Sequence, residues 1–230
     1  MVVIGVEPTF PWMDRCGIAT STRRTALQRW SVLPERNPEE LVEELYEAEN
    51  RGRQDPSGSQ DMIGLIYPGI NRLDYDVRHR GGIFPVRIES NNDPAVACWV
   101  ERVINVLPIA PRPDGYGPLG IRNLDPEWIR KLGKSGKDCY AAILRTDVEA
   151  LGRSMNDCMT CWRMILPHIL SHPTLKVDLV AILDYYQSEY PGAMFSGCGG
   201  GYLYIASLEQ VPGAFHVQVR VANEQGSSAL

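Results

Sequence analysis

A segment rich in proline and glycine, Pro108–Gly120, interrupts the middle of the chain. Proline and glycine disfavour both helices and strands, so a segment of this kind is typical of a connection between two separately folded parts. On both sides of it, apolar residues follow helix-like and strand-like patterns that do not alternate strictly. We therefore predict an α+β fold with two domains, residues 1–108 and residues 109–230.

Local signals predict most of the helices and strands. The best-marked helix follows Asn37, a residue type suited to capping, with Pro38 at its first position and two glutamates in its first turn. The predicted helices are at 17–30, Pro38–Glu49, Gln60–Ile66, Pro126–Leu132, Lys137–Arg145, Asp147–Leu166 and Thr174–Tyr190. The predicted strands are Val2–Glu7, Asn71–Val77, Ile83–Glu89, Val100–Leu107, Tyr202–Ala206 and His216–Val221.

Charge and hydropathy exclude several classes of partner. The 230-residue chain has a net charge of -5, and its densest basic clusters, Arg51/Arg53 and Arg78–Arg80, are too small for a nucleic-acid or anionic-membrane surface. No apolar run approaches the roughly 18 residues of a membrane span. The apolar stretch Val2–Val6 lacks the basic start of a signal peptide. We therefore expect no nucleic-acid or membrane partner and a cytoplasmic location.

The six cysteines include one pair with a spacing that suggests a metal site. Cys158 and Cys161 precede His168 and His172, an arrangement similar to a shortened zinc finger. Cys158 also belongs to an apolar stripe at helical spacing, and Pro167 separates that stripe from both histidines. We therefore expect free thiols within a helix rather than a zinc site.

The segment Gly17-Ile-Ala-Thr-Ser-Thr22 lies at the start of a predicted helix. Backbone N–H groups at the N-terminus of a helix bind anions, and hydroxyl groups such as those of Thr20 and Ser21 can ligate Mg2+. The alternative interpretation is a simple helix cap. The sequence alone leaves both interpretations open.

Two acidic residues, Glu49 and Asp61, are predicted at the end of one helix and the beginning of the next. A pair of carboxylates placed in this way could hold a hydrated Mg2+ ion and accept a proton from a hydroxyl group. The alternative is that Asp61 caps its helix and that Glu49 is solvated.

A glycine-rich turn and an arginine are further candidates for substrate binding. The turn Gly197-Cys-Gly-Gly-Gly201 precedes a predicted strand, and consecutive glycines let the backbone approach a phosphate or another chain closely. A flexible turn is the alternative. Arg112 lies in the interdomain segment and could bind an anionic substrate or be an ordinary exposed arginine.

The order and approximate spacing of these segments resemble the GHMP small-molecule kinases, most closely the heptose-phosphate and fucose kinase branch. The matching segments are Gly17-Ile-Ala-Thr-Ser-Thr22, Glu49, Gly58-Ser-Gln-Asp61, Pro191-Gly-Ala-Met and Gly197-Cys-Gly-Gly-Gly201. In that branch a phosphate loop precedes a glutamate-bearing helix, a G-x-Q-D motif and a glycine-rich turn. The resemblance extends from Val2 to about Ala222 and implies a two-lobe fold with a ferredoxin-like C-terminal lobe.

The resemblance also implies a cofactor, a substrate class and a role for each site residue. The activity would be ATP- and Mg2+-dependent phosphorylation of a sugar or sugar phosphate, with Asp61 accepting the proton of the reacting hydroxyl. The positions that match the family's site are Gly17, Ala19, Thr20 and Ser21 for the nucleotide phosphates; Glu49 and Ser21 for the metal; and Arg112, Gly197, Gly199 and Gly200 for the substrate.

The sequence departs from the family pattern at its first part. Only Val2–Arg15 precedes the phosphate loop, so the resemblance implies a truncated N-terminal lobe without the family's first motif. Ala19 replaces a loop glycine, and Arg23 and Arg24 occupy positions of small residues. The alternatives are a GHMP-fold pseudokinase or partner subunit, and a repurposed enzyme that uses Asp61 as general base on a sugar-like or phosphorylated substrate. A truncated lobe would expose apolar surface, which predicts a homodimer.

Overall fold

A computed structural model describes residues 19–30, 32–53, 56–110, 117, 120–197 and 200–222. The helices are α1 (Thr20–Arg29), α2 (Pro38–Asn50), α3 (Gln60–Ile66), α4 (Pro94–Val103), α5 (Pro126–Leu144), α6 (Val148–Ile165) and α7 (Leu179–Glu189). The strands are β1 (Ile70–Asp74), β2 (Arg87–Asn91), β3 (Ile104–Ala110), β4 (Gly192–Phe195), β5 (Gly201–Ala206) and β6 (Phe215–His216). This mixture of helices and antiparallel sheets confirms the predicted α+β class. The strand predicted at Val2–Glu7 lies outside the described residues.

The described residues form two compact units. The first contains Ala19–Cys98 and residues 218–222, and the second contains Trp99–Val217. The division between these units falls within α4, whereas the domain boundary predicted after residue 108 lies inside β3. The boundary after residue 108 stays a prediction.

The first unit has a small apolar core between its three helices and a two-stranded sheet. The side chain of Asn37 accepts a hydrogen bond from the Glu39 N–H at 2.9 Å, which caps α2 as its sequence predicts. Helices α1 to α3 supply the buried core residues Ala26, Trp30, Leu41, Val42, Leu45, Met62, Ile63, Leu65 and Ile66. Strands β1 and β2 pair antiparallel, with Arg72 opposite Glu89. This packing fixes the last turn of α2 and the whole of α3.

The second unit contains a four-stranded antiparallel sheet in the order β4-β5-β3-β6. Read from β6 to β4 and numbered by their order in the chain, the strands lie in the order fourth, first, third, second. This is the strand order of a ferredoxin-like sheet. The connection from β5 to β6, residues 207–214, contains no helix. The core joins α6 and α7 to the sheet through buried residues that include Met159, Leu166, Leu183, Phe195 and Leu203.

Helix α6 crosses strand β4 at a contact between two glycines. A Cβ atom added to Gly152 would lie 2.2 Å from the carbonyl carbon of Pro191, and one added to Gly192 would lie 2.1 Å from the Gly152 carbonyl oxygen. These neighbours are backbone atoms, which cannot move aside as a flexible side chain can. Neither glycine can therefore be replaced without displacing the helix from the strand.

Strand β4 lies at one edge of the sheet, and side-chain amides bind the backbone of its second residue. The Ala193 N–H donates to Asn156 Oδ1 at 3.0 Å, and Gln187 Nε2 donates to the Ala193 carbonyl at 2.9 Å. Asn156 is on α6 and Gln187 is on α7. The two helices thus satisfy edge groups that would otherwise be open to another strand.

The observed elements differ from the predicted ones at several places. The strand predicted at Ile83–Glu89 begins only at Arg87, and the strand predicted at His216–Val221 is limited to Phe215–His216. Residues Val100–Leu107 were expected to form a strand, but α4 continues to Val103 and β3 begins at Ile104. The two helices predicted between Pro126 and Arg145 are a single helix, α5, because the glycines inside it are accommodated at exposed positions. Strand β4 was not predicted, because it is only four residues long.

Candidate functional site

Helix α2 places a carboxylate on its buried face. Leu41, Leu45 and Glu49 follow one another at intervals of one helical turn, and all three are buried. The Glu49 side chain is only 2% exposed. The alternative that Glu49 is solvated is therefore wrong.

The two oxygens of the Glu49 carboxylate have different environments. Oε1 accepts a hydrogen bond from the Ser21 hydroxyl at 3.0 Å and lies 3.7 Å from Nη1 of the half-exposed Arg53. Oε2 is buried and has no hydrogen-bond partner. Within the described part of the chain it is the one completely buried side-chain nitrogen or oxygen atom in this condition. A buried carboxylate oxygen without a partner is energetically costly, which indicates a position where a ligand binds.

Asp61 lies in the first turn of α3, close enough to Glu49 for the two charges to interact. Partial burial, and secondly the negative charge of Glu49, raise the pKa of Asp61 from 3.8 to about 6. Among the described residues the Asp61 carboxylate has no hydrogen bond or ion pair. The N-cap of α3 is Ser59 rather than Asp61, so the alternative role of Asp61 as the cap is wrong.

The loop between α2 and α3 is held by one asparagine. Asn50 Oδ1 accepts from the Ser57 N–H at 2.7 Å, and Asn50 Nδ2 donates to the Tyr46 carbonyl at 3.0 Å. These bonds attach the residues before Gly58 to the last turn of α2. The two carboxylates are therefore held on adjacent helix ends by a short, hydrogen-bonded connection.

The N-terminus of α1 supplies the third side chain of this site. Ala19 is the N-cap residue and has left-handed backbone angles, φ 56° and ψ 32°. Glycine adopts this conformation more readily than alanine does, so the backbone keeps a glycine-like geometry at the position where the kinase family has glycine. Thr20 begins the helix and Ser21 follows, while Gly17 lies outside the described residues. Arg23, in the next turn, is half-buried, and burial lowers the pKa of its guanidinium.

The contacts of Ser59, two residues before Asp61, were not predicted from the sequence. Ser59 is completely buried, and its Oγ lies 2.6 Å from the Ile83 carbonyl and 3.2 Å from the Tyr75 hydroxyl. Burial, and to a smaller extent the charge of Asp61, raise the pKa of Tyr75. These contacts join residues that are far apart in sequence, and no local motif marks Tyr75.

The remaining predicted site residues lie in the second unit or outside the described residues. Gly197 and Gly200 belong to the second unit, in the turn between β4 and β5, and both have positive φ angles, 58° and 71°. Left-handed angles of this size explain why the turn uses glycine. Gly199 and Arg112 lie outside the described residues. The structure therefore associates Ser21, Glu49 and Asp61 in one unit.

The paired cysteines of α6, Cys158 and Cys161, are free thiols. Burial raises the pKa of Cys158 to about 11, and burial also raises the pKa of Cys161. Zinc ligands are thiolates, which a raised pKa disfavours. In the described ranges no cluster of three or more histidine, cysteine or acidic residues could hold a metal ion.

No helix within the described ranges is both long enough and apolar enough to cross a bilayer.

Comparison with known proteins identifies the fold. No protein-family profile matches the sequence, and no curated protein matches it. A D-glycero-D-manno-heptose 1-phosphate kinase from Bacteroides thetaiotaomicron is similar in structure, with a TM-score of 0.51 and 12% identity over 91% of this chain. A proposed sugar kinase from Campylobacter jejuni gives 0.50 and 14% over 91%. This chain spans 63% and 61% of those two chains, respectively. The fold is therefore one found in sugar kinase structures, while membership of the GHMP family stays a prediction.

Proposed function

We propose that this chain is a kinase that transfers the γ-phosphate of ATP to a hydroxyl group of a sugar or sugar phosphate. The observation that carries the proposal is the buried Glu49 carboxylate, which has one oxygen bound to Ser21 and the other without a partner. A buried carboxylate oxygen without a partner destabilises the fold, so it benefits the protein only when a ligand or an ion binds to it. The similarity in fold to sugar kinase structures supports a nucleoside triphosphate as the ligand that binds there.

The donor atoms of the site fit a magnesium ion. A carboxylate oxygen from Glu49 and the hydroxyl oxygen of Ser21 are hard ligands, and Mg2+ commonly binds one or two protein oxygens together with phosphates and water. When bound, the ion would neutralise charge on the nucleotide phosphates. Ser21 has a second function in this proposal, because its hydroxyl orients Glu49 by hydrogen bonding.

Asp61 is the residue that would receive the proton of the reacting hydroxyl group. A general base is most effective when its pKa is near the working pH, and the pKa of Asp61 is raised to about 6. At neutral pH the carboxylate is mostly ionised, yet it is more basic than an ordinary aspartate. Phosphoryl transfer depends mainly on positioning and charge neutralisation, so Asp61 would also orient the hydroxyl oxygen toward the phosphate.

The substrate class follows from the fold and from the requirement for a hydroxyl acceptor. One structural neighbour is named as a heptose 1-phosphate kinase and the other as a proposed sugar kinase. We therefore propose a sugar or sugar phosphate as the acceptor, with D-glycero-D-manno-heptose 1-phosphate as the first compound to assay. A homodimer and the contributions of Gly17, Arg112 and Gly199 remain predictions of the family resemblance.

The proposal is tested by calorimetric titration with a non-hydrolysable ATP analogue, with and without Mg2+. We expect binding that requires Mg2+ and that weakens at least about tenfold in Glu49→Gln, which removes the charge but keeps an oxygen for Ser21. Glu47→Gln changes an exposed glutamate on the same helix and should bind like the wild type. The absence of binding at millimolar nucleotide would contradict the proposal and favour a chain that has the fold without the activity.

A further inference from the structure

We propose that Tyr75 is a substrate-positioning residue whose phenol oxygen accepts a hydrogen bond from a sugar hydroxyl adjacent to the one that faces Asp61. The inference depends on the proposed kinase function, which it extends to a particular substrate feature. It follows from the hydrogen bonds of Tyr75, Ser59 and Ile83 and from the position of Ser59 two residues before Asp61.

The direction of these hydrogen bonds determines what Tyr75 can offer a ligand. The Ile83 carbonyl can only accept, so Ser59 must donate its single hydroxyl proton to it across 2.6 Å. Ser59 Oγ can then only accept from the Tyr75 hydroxyl at 3.2 Å. The Tyr75 proton is therefore used within the protein, and its oxygen presents lone pairs to whatever lies beside it.

Tyr75 is placed where both a carboxylate and solvent are accessible. Ser59 is completely buried and caps α3, and Asp61 lies in the first turn of that helix. The charge of Asp61 contributes to the raised pKa of Tyr75, so the phenol group lies within electrostatic range of the carboxylate. Tyr75 is nevertheless 42% exposed, so part of its side chain is open to solvent and to a ligand.

A molecule bound beside these two residues meets two hydrogen-bond acceptors and no donor from either. The ionised Asp61 carboxylate only accepts, and the Tyr75 oxygen, with its proton committed to Ser59, also accepts. The complementary ligand presents two neighbouring donors. Adjacent hydroxyl groups of a sugar or polyol have this character, so the structure favours a substrate with a vicinal diol.

The decisive variant is Tyr75→Phe, assayed with D-glycero-D-manno-heptose 1-phosphate and Mg-ATP. We expect the KM for the sugar phosphate to rise about tenfold, as for one lost hydrogen bond, with little change in the KM for ATP or in Tm. Tyr185→Phe makes the same change at an exposed tyrosine of α7 and should leave all three unchanged. A fall in Tm together with equal changes in both KM values would indicate a structural role and overturn the proposal.

Deoxy analogues of the sugar phosphate give a second, independent test. If Tyr75 contacts the adjacent hydroxyl, removing that hydroxyl should weaken the wild type by about the same factor as Tyr75→Phe, and should have little further effect in the variant. Effects that simply multiply would show that the two groups do not interact, which overturns the proposal.

Failure of the kinase proposal is distinguished by titrating the sugar phosphate without nucleotide. Binding to the wild type that is weaker in Tyr75→Phe would support the role of Tyr75 even if no phosphate transfer occurs. Equal binding to both proteins would overturn that role alone. No binding of the sugar phosphate and no turnover would overturn both proposals.

Discussion

Among the described residues, the second unit leaves no buried side-chain nitrogen or oxygen without a hydrogen-bond partner, whereas the first unit leaves one carboxylate oxygen without a partner. In the second unit Asn105 is fully buried on β3, its Oδ1 accepts from the Val211 N–H at 3.1 Å, and its Nδ2 lies 3.4 Å from the carbonyls of Val103 and Ser207. In the first unit Glu49 is almost as buried, and its Oε2 has no partner. The same chain therefore follows the usual rule in one region and departs from it in another.

The contact between α5 and α6 shows how completely the second unit applies that rule. Ser135 and Ser154 donate their protons to carbonyls within their own helices, at 2.8 Å and 2.7 Å. Polar groups in this interface stabilise the fold, so the difference at Glu49 indicates a different purpose.

Asp61→Asn is expected to have the largest effect, because it removes the proposed base. An amide cannot accept the hydroxyl proton, so kcat should fall by about 10²–10⁴-fold with the fold intact. The measurement is ADP release with heptose 1-phosphate as acceptor. Asp157→Asn, at an exposed position of α6, is the control and should retain wild-type kcat. A wild-type kcat in Asp61→Asn would show that Asp61 is not the base, and it would contradict a catalytic purpose for the carboxylates of the first unit.

Asn105→Ala should have the next largest effect, and on stability rather than activity. It leaves the buried Val211 N–H without an acceptor and removes packed atoms, so the free energy of unfolding should fall by about 2–3 kcal/mol. Urea denaturation measures this loss, with Asn123→Ala as the exposed control. In the same assay Glu49→Gln should cost almost nothing. Equal losses in the two variants would contradict the contrast between the units.

The stability of metal-free protein should depend on the ionisation of Asp61. In the unfolded chain this group ionises near pH 3.8 and in the folded chain near 6, so between these values the unfolded state holds fewer protons and stability falls as pH rises. Asn does not ionise, so Asp61→Asn should match the wild type near pH 4 and be more stable by about 1–3 kcal/mol at pH 8. Thermal melts with a chelator across that range measure the difference. A gain at pH 4 as large as that at pH 8 would refute this explanation.

Ala19→Gly should have the smallest effect. The left-handed backbone of Ala19 is strained for alanine, so glycine should raise the free energy of unfolding by about 1 kcal/mol. Thr146→Gly, in the turn between α5 and α6, tests the same strain in the second unit, because Thr146 has a φ of 52°. If only Thr146→Gly is stabilising, the conformation of Ala19 in solution differs from the one described.

Elements with a local start signal were predictable from the sequence, whereas a change of element within an apolar run was not. Asn37 and Pro38 mark α2 without help from the rest of the chain, and the helix begins at Pro38. Between α4 and β3 the chain passes directly from one apolar residue, Val103, to the next, Ile104. The spacing of apolar residues cannot locate such a junction, because both patterns fit it equally well.

The site was predictable only in part, for a similar reason. The family resemblance selected Glu49, Asp61 and Ser21, and the structure brings them into one unit, although their roles stay predictions. Tyr75 had no such signal, because its interaction with Ser59 depends on the chain folding back through β1 and the following loop. Contacts between distant residues are set by packing, which a single sequence does not display.

The contact between Gly152 and Gly192 also predicts which residues distant relatives of this chain should share. A side chain at either glycine would collide with the backbone of the facing segment. A substitution at one position would therefore require a compensating change at the other. Relatives that have diverged beyond recognition by overall identity should still carry the two glycines together. The two glycines can therefore serve as reference positions for aligning remote sequences whose overall identity is too low to be recognised.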